Sequence, residues 1–279
     1  MKKIIFALLL VSSATFAQSQ TSCCSVTLSN QNAILAMNEK FASKHDVPAP
    51  FILAEPKGET ISFSTKDTLN GNAHYIKALK PTKKVLFVFH EWWGLNDYIK
   101  KEAETFALEM GDVDVYAIDL YDGQVANDVA TAQRLMSGLK QERAIAIING
   151  IIAKIGADKS IATIGWCMGG AWSLQSTLLE SKQAKACVMY YGMPEKSVDR
   201  LKTLNCEVLG IFAKQDQFIN AELVKTFETN MKAADKKLTV YNYEADHAFA
   251  NPSNPKHNKQ FAADAHAKAL KFLTENLKK

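Results

Sequence analysis

The apolar positions of this chain fall into two rhythms. Val85-Leu86-Phe87-Val88-Phe89 is an unbroken apolar run, and Val113 to Ile118, Ile161 to Ile164, Val188 to Tyr191 and Val208 to Phe212 repeat the pattern. Between these runs the apolar residues recur at helical spacing. The stretches are Asp97 to Glu109, Asn127 to Leu139, Glu142 to Ile155, Ala171 to Leu179, Ala221 to Ala234 and Lys259 to Leu277. Leu238 to Tyr243 reads as a last strand. Continuously apolar strands alternating with amphipathic helices predict a mostly parallel central sheet with helices on both faces, an α/β fold. Upstream, Glu59 to Ser64 and Ala73 to Ala78 alternate apolar with polar, with the turn dipeptide Asn70-Gly71 between them. They predict an antiparallel entry ribbon, with His74 on the strand surface.

The chain has 279 residues, of which 47% are hydrophobic and 22% charged, enough for one large α/β domain. The first 17 residues stand apart. Lys2-Lys3 precede the apolar run Ile4 to Val11, and small residues follow as far as Ala17, the layout of a signal peptide cleaved after Ala17. That apolar run is too short to span a bilayer, which takes about 20 residues. Export to the periplasm or beyond is therefore expected, with no transmembrane span after signal removal. Residues 18–48 read as a spacer with a lid or edge helix near Ala33 to Ala42, and residues 49–279 as the α/β domain. The formal charge is +4, and removing residues 1–17 takes away Lys2 and Lys3, so nothing points to a nucleic-acid partner. A monomer is expected.

Five cysteines leave at least one unpaired. Cys23-Cys24 lacks the leucine three places upstream that a lipidated cysteine follows, so lipidation is not expected; a redox or metal-binding tail is an alternative use of the pair. Cys187 and Cys206 each open an expected strand, which leaves both a disulfide and two buried thiols open.

Ligands of parallel sheets bind past the carboxyl ends of the strands. There the sequence places His90-Glu91-Trp92-Trp93-Gly94, Asp119-Leu120-Tyr121, Gly165-Trp166-Cys167-Met168-Gly169-Gly170, Gly192, Asp216 and His247-Ala248-Phe249. The Cys167 stretch is a Gly-x-nucleophile-x-Gly elbow, in which a strained turn needs small residues at Gly165 and Gly169. At the N-terminus of the following helix Cys167 meets a partial positive charge that favours thiolate, and the Met168 N–H can face an oxyanion. The order Cys167, Asp216, His247 is that of nucleophile, acid and base: His247 would take the thiol proton while Asp216 holds the imidazole tautomer. Asp246 is expected to be a turn residue pointing away from the imidazole. His90-Glu91 opens like a zincin motif, but Gly94 stands where the second histidine belongs. No His/Cys cluster has metal spacing, and neither a metal nor a cofactor is expected.

These pieces, in this order, resemble the dienelactone hydrolase family. The resemblance covers about residue 59 to the C-terminus and implies an α/β-hydrolase fold. It implies Cys167 as nucleophile, His247 as base, Asp216 as its orienter, and Glu91 as a carboxylate contacting the resting cysteine until substrate displaces it. It also implies an oxyanion hole made by the backbone N–H groups of Trp92 and Met168. A carboxylate near a thiol disfavours thiolate, so Glu91 would protect the sulfur from oxidation. The chain departs from the family where relatives hold substrate-binding arginines: Asp122-Gly123 and Asn251 stand there. Trp92, Trp93, Tyr121, Tyr191 and Phe249 would instead line an aromatic pocket for a neutral substrate. The expected activity is hydrolysis of a small ester, lactone or thioester through an acyl-cysteine. The alternatives are acyl transfer on the same scaffold, or a non-catalytic small-molecule binding protein.

Overall fold

The computed structural model describes residues 27–254 and 256–279. The expected signal segment 1–17 and the Cys23-Cys24 pair lie outside the described residues. Among the described residues eight strands form one sheet: β1 (Glu59–Ser64), β2 (Asn70–Ile76), β3 (Lys84–Phe89), β4 (Asp114–Asp119), β5 (Ser160–Trp166), β6 (Ala184–Tyr190), β7 (Glu207–Ala213) and β8 (Leu238–Tyr243). Their order is β1-β2-β4-β3-β5-β6-β7-β8. The β1–β2 and β2–β4 pairs are antiparallel and the others parallel. This is the expected fold, and the apolar runs explain it. In β3, five of six residues are buried, as in a strand covered on both faces. Helices α3 (Asp97–Met110), α4 (Val129–Gly138), α5 (Gln141–Ile155), α6 (Met168–Glu180) and α8 (Ala221–Ala233) fill the connections, with a short α7 (Val198–Leu201) ahead of β7, and α9 (Lys259–Asn276) follows β8.

The register aligns the strand ends. Phe89 pairs with Gly165, Trp166 with Tyr190, Tyr190 with Ile211 and Ala213 with Tyr243. The loops after β3, β5, β6, β7 and β8 therefore leave the sheet side by side. That alignment brings residues far apart in sequence to one edge.

Local expectations fail in three places. Asn70-Gly71 is not the hairpin turn; it lies within β2, and the turn closes earlier through Thr65 N–H to Leu69 O at 3.3 Å. Gly71 is needed for packing, because a Cβ there would lie 2.5 Å from the Phe63 ring. His74 is not on the surface: it is 3% exposed and its Nε2 lies 3.1 Å from Glu104 on α3. β2 is an inner strand that α3 covers, so its polar residue is paired instead of solvated. Finally, Cys187 sits inside β6, not at its start, while Cys206 immediately precedes β7, and both are free thiols.

The segment before the sheet forms α1 (Leu28–Ala36) and α2 (Glu39–Ala42), not one helix. Asn38 interrupts them, its side chain accepting the N–H groups of Lys40 and Phe41 as an N-cap. α1 packs along α4, and its entry is tied to α5 by Ser29 N–H to Gln141 Oε1 at 3.0 Å. α2 is carried across the carboxyl edge of the sheet.

Candidate active site

Cys167 sits between β5 and α6 with φ 54° and ψ −119°, the strained geometry expected of the elbow. The glycines around it allow close backbone approach. A Cβ on Gly165 would lie 2.1 Å from the Gly169 carbonyl oxygen, and one on Gly169 would lie 2.3 Å from the carbonyl oxygens of Phe89 and His90. Cys167 N–H is held by Tyr190 O at 3.0 Å. Met168 opens α6, so its N–H belongs to the first turn, where donors have no intrahelical acceptor.

Asp216 and His247 meet across the loops of β7 and β8. His247 Nδ1 lies 2.5 Å from Asp216 Oδ2. The other Asp216 oxygen accepts the N–H groups of Phe218 and Ile219 at 2.8 and 3.0 Å. One carboxylate therefore caps its own turn and orients the imidazole. Burial opposes charge on His247, but the neighbouring Asp216 and Cys167 overcome it and raise the imidazole well above its ordinary value. Burial likewise opposes charge on Asp216, yet His247 and the turn N–H groups hold it below the usual carboxylate range. Asp246 points away, as expected: its Oδ1 accepts the His247 backbone N–H, and its Oδ2 pairs with Lys44 and Lys256 at 3.3 and 3.1 Å.

Glu91 is buried in the loop after β3. Burial raises its carboxyl to about 8; the Asn251 amide, the Trp93 and Trp92 N–H groups and His247 act in the other direction and do not overcome it. At neutral pH the folded protein keeps this group mostly protonated. The expected guarding of the sulfur by negative charge is therefore weak, and a guard here must act by occupancy and hydrogen bonding. Asn251 Nδ2 donates to Glu91 Oε1 at 3.2 Å, and Asn251 Oδ1 is fixed by Ser253 N–H and Oγ at 2.9 and 2.8 Å. Asn251, one of the two positions where the resemblance implies arginine, is thus a tether for Glu91. At the other, Asp122 is bound by Arg143 at the surface. His90, buried and held neutral by burial, ties the loop in place: its Nδ1 donates to Glu91 O at 2.7 Å and its Nε2 accepts Leu120 N–H at 3.1 Å.

The aromatic residues divide by position. Tyr121 and Tyr191 are pushed up first by burial and then by Cys167 and Glu91, so all four share one neighbourhood. Tyr121 donates its hydroxyl to Met168 Sδ at 3.1 Å, while the buried Tyr191 hydroxyl has no partner. Trp93 is buried behind Trp92, with ring centroids 5.0 Å apart, and Phe249 packs between Tyr191 and Tyr243. These last two contribute mainly to the wall behind the site.

Residues of α2 and the turn after it complete the cluster. Phe41 packs edge-on to His247 at 5.7 Å and to Trp92 at 5.5 Å. His45 lies 5.3 Å from the His247 ring and 4.4 Å from Trp92. Beneath this cover Cys167 is 5% and His247 4% exposed. The ligand atoms of His45, Cys167 and His247 all lie within 4.8 Å of one another. Nothing in the sequence pointed to His45. It is a lone histidine after a four-residue helix, and only tertiary docking brings it to the strand edge. Asn251 and His90 likewise carry no local signal of their contacts.

Residues 72–277 match the sequence profile of the Dienelactone hydrolase family. A carboxymethylenebutenolidase of Pseudomonas sp. (strain P51) is 26% identical over 229 residues, which is 77% of this chain and 94% of that protein. Among solved structures, a dienelactone hydrolase-like promiscuous phosphotriesterase from metagenomic libraries superposes with a TM-score of 0.67 at 19% identity, covering 79% of this chain and 99% of its own. A Pyrococcus furiosus esterase superposes with a TM-score of 0.61 at 14% identity, covering 83% and 100%.

Proposed function

Because the chain belongs to the dienelactone hydrolase family, hydrolases on the α/β-hydrolase fold, we propose that it cleaves a small neutral ester, lactone or thioester through an acyl-Cys167 intermediate. The observation that carries the reading is the convergence of Cys167, Asp216 and His247 at the carboxyl ends of β5, β7 and β8, with His247 Nδ1 2.5 Å from Asp216. In the proposed reaction His247 takes the thiol proton as sulfur bonds to the carbonyl carbon. The carbonyl electrons move onto oxygen, which the Trp92 and Met168 N–H groups receive. The carbon–oxygen bond to the leaving group then breaks and His247 protonates that group; for a thioester, the carbon–sulfur bond breaks instead. Water, deprotonated by His247, attacks the acyl-sulfur carbon. The carbon–sulfur bond then breaks, the acid leaves and His247 returns the proton taken from water to Cys167. Asp216 keeps the imidazole oriented and stabilises its charged form.

A neutral substrate is supported by what stands at the two arginine positions. Asn251 is committed to Glu91, and Asp122 is an acid bound by Arg143. Glu91, which also bears on the Trp92 N–H, would have to move as the carbonyl oxygen enters. Tyr121 and Tyr191 then offer aromatic surface and hydroxyls to the substrate. Export through residues 1–17 belongs to the same proposal; among the described residues no helix is long and apolar enough to cross a membrane.

The test is hydrolysis of p-nitrophenyl acetate, a neutral lactone and an anionic dienelactone by the protein and by Cys167→Ala. Turnover of the neutral compounds, lost in the variant, is expected, with little on the dienelactone. Equal rates in both proteins would remove Cys167 as nucleophile. Strong dienelactone turnover would overturn the assignment of a neutral substrate.

A further inference from the structure

We propose that His45, carried in by the turn after α2, forms with Cys167 and His247 a binding site for a zinc-class divalent cation, whose occupancy closes the hydrolytic site. The geometry has three parts. First, one sulfur and two imidazole nitrogens lie within 4.8 Å of one another, all buried. A tetrahedral zinc ion sets such donors about 3.5 Å apart, so closing on the metal asks less than about 1 Å of movement from each side chain. Second, both histidines turn their Nε2 into the cluster. His45 Nδ1 is 2.8 Å from Phe41 O and His247 Nδ1 is 2.5 Å from Asp216 Oδ2, so each Nδ1 carries the hydrogen. The buried His45 Nε2 has no hydrogen-bond partner, and His247 Nε2 faces the Cys167 sulfur. Metal-binding histidines are held the same way, one nitrogen on a carbonyl or carboxylate and the other on the metal. Third, the charges balance. A dication would meet the Cys167 thiolate and the Asp216 carboxylate, leaving no net charge in the buried cluster.

His45 has no evident part in hydrolysis, and a buried imidazole nitrogen without a partner is costly. A cation supplies that partner. Cys167 Sγ and His247 Nε2 share one exchangeable proton; coordination of both atoms leaves the sulfur as a metal thiolate and the imidazole neutral, and releases that proton to solvent. The sulfur is then protected from oxidation and cannot attack a carbonyl. The cation class follows from the donors: imidazole and thiolate favour zinc or copper over magnesium or calcium. A fourth position stays open for water. The switching role rests on Cys167 being the nucleophile; the site itself does not.

Cobalt(II) is the probe, because thiolate ligation gives it a charge-transfer band that needs no activity assay. The full chain carries Cys23→Ser and Cys24→Ser, so that the paired N-terminal thiols cannot contribute. One equivalent of cobalt is expected to produce the band, and zinc to displace it. Cys167→Ala should abolish it, and His45→Gln should weaken binding about tenfold or more. His45→Gln keeps a neutral polar side chain of similar size; His45→Asn serves as a second variant, and a melting curve confirms that each is folded. Zinc should inhibit ester hydrolysis and a chelator should restore it, with His45→Gln less sensitive. A band that persists in Cys167→Ala, or unchanged affinity in both His45 variants, overturns the site. Binding without inhibition overturns the switch. If the protein hydrolyses no ester at all, the function proposed above fails, while the cobalt spectrum still decides the site.

Discussion

Burial places a proton on two carboxyl groups that would otherwise be charged at neutral pH. Glu91 and Glu180 are each raised to about 8, burial being the largest cause for both. Glu180 Oε1 accepts Ser176 Oγ at 2.7 Å, and its Oε2 has no partner. Each group binds its proton more tightly folded than unfolded, so unfolding releases protons. The contribution to stability is whole below the ordinary value of 4.5 and is lost as pH rises from there toward about 8. Glu91→Gln and Glu180→Gln remove that loss. Each is expected to be more stable than the parent at about pH 8.5, by on the order of a few kcal/mol, and much closer to it near pH 4. Urea unfolding at the two pH values reads the difference; a constant offset at both would show that packing, not titration, governs these sites. Of these residues, the position of Glu91 after an apolar strand was legible in the sequence. Its protonation was not, because desolvation depends on what packs around it.

At the scale of elements, the decisive piece is the cover made by α2 and His45. Phe41, fully buried, anchors it against Trp92, Phe218 and His247. His45 is lowered to about 3, first by burial and then by His247; the Phe41 carbonyl, Asp216 and Asp246 act against this and do not prevail. A base lowered in the docked state favours docking above its ordinary value of 6.5, and that contribution is lost as pH falls from there toward about 3. The cover is therefore expected to loosen below about pH 6 while the sheet persists. Hydrogen exchange over residues 28–45 should quicken on acidification, and His45→Gln should flatten the response. Exchange that quickens equally in the variant would assign the effect to Asp216, paired with His247, or to Asp246, paired with Lys44 and Lys256. The sequence predicted a helix near Ala33 to Ala42. It could not place the break at Asn38 or the docking, which depend on Trp92 and His247 far along the chain.

Across the whole molecule, Arg143 joins parts that the sequence keeps apart. From α5 it donates to Asp67 at 3.0 Å and to Thr65 at 3.1 Å in the β1–β2 turn, to Asn70 O at 2.7 Å, and to Asp122 after β4 at 3.1 Å. Its side chain is 12% exposed, whereas those of Asp67 and Asp122 are 33% and 43% exposed, so solvent screens much of the charge attraction. Arg143→Ala is expected to cost about 1–2 kcal/mol, mostly through the lost Thr65 and Asn70 contacts. Exchange should quicken in β1 and β2 first, and neutral-ester turnover should hold within about twofold if Asp122 lies outside the substrate path. A large loss of turnover would bring Asp122 into the site.

The sequence by itself determined the layer order, the parallel sheet, the elbow at Cys167 and the order Cys167, Asp216, His247. These follow from short-range causes: apolar runs that must be covered, and glycines where backbones touch. Tertiary structure alone decided that Asn70-Gly71 is strand, that His74 is buried on Glu104, that Asn251 holds Glu91, and that His45 reaches Cys167. Each depends on which surfaces meet. A local pattern records how a segment can fold, but the partner of a buried polar atom is set by contacts between segments distant in the chain.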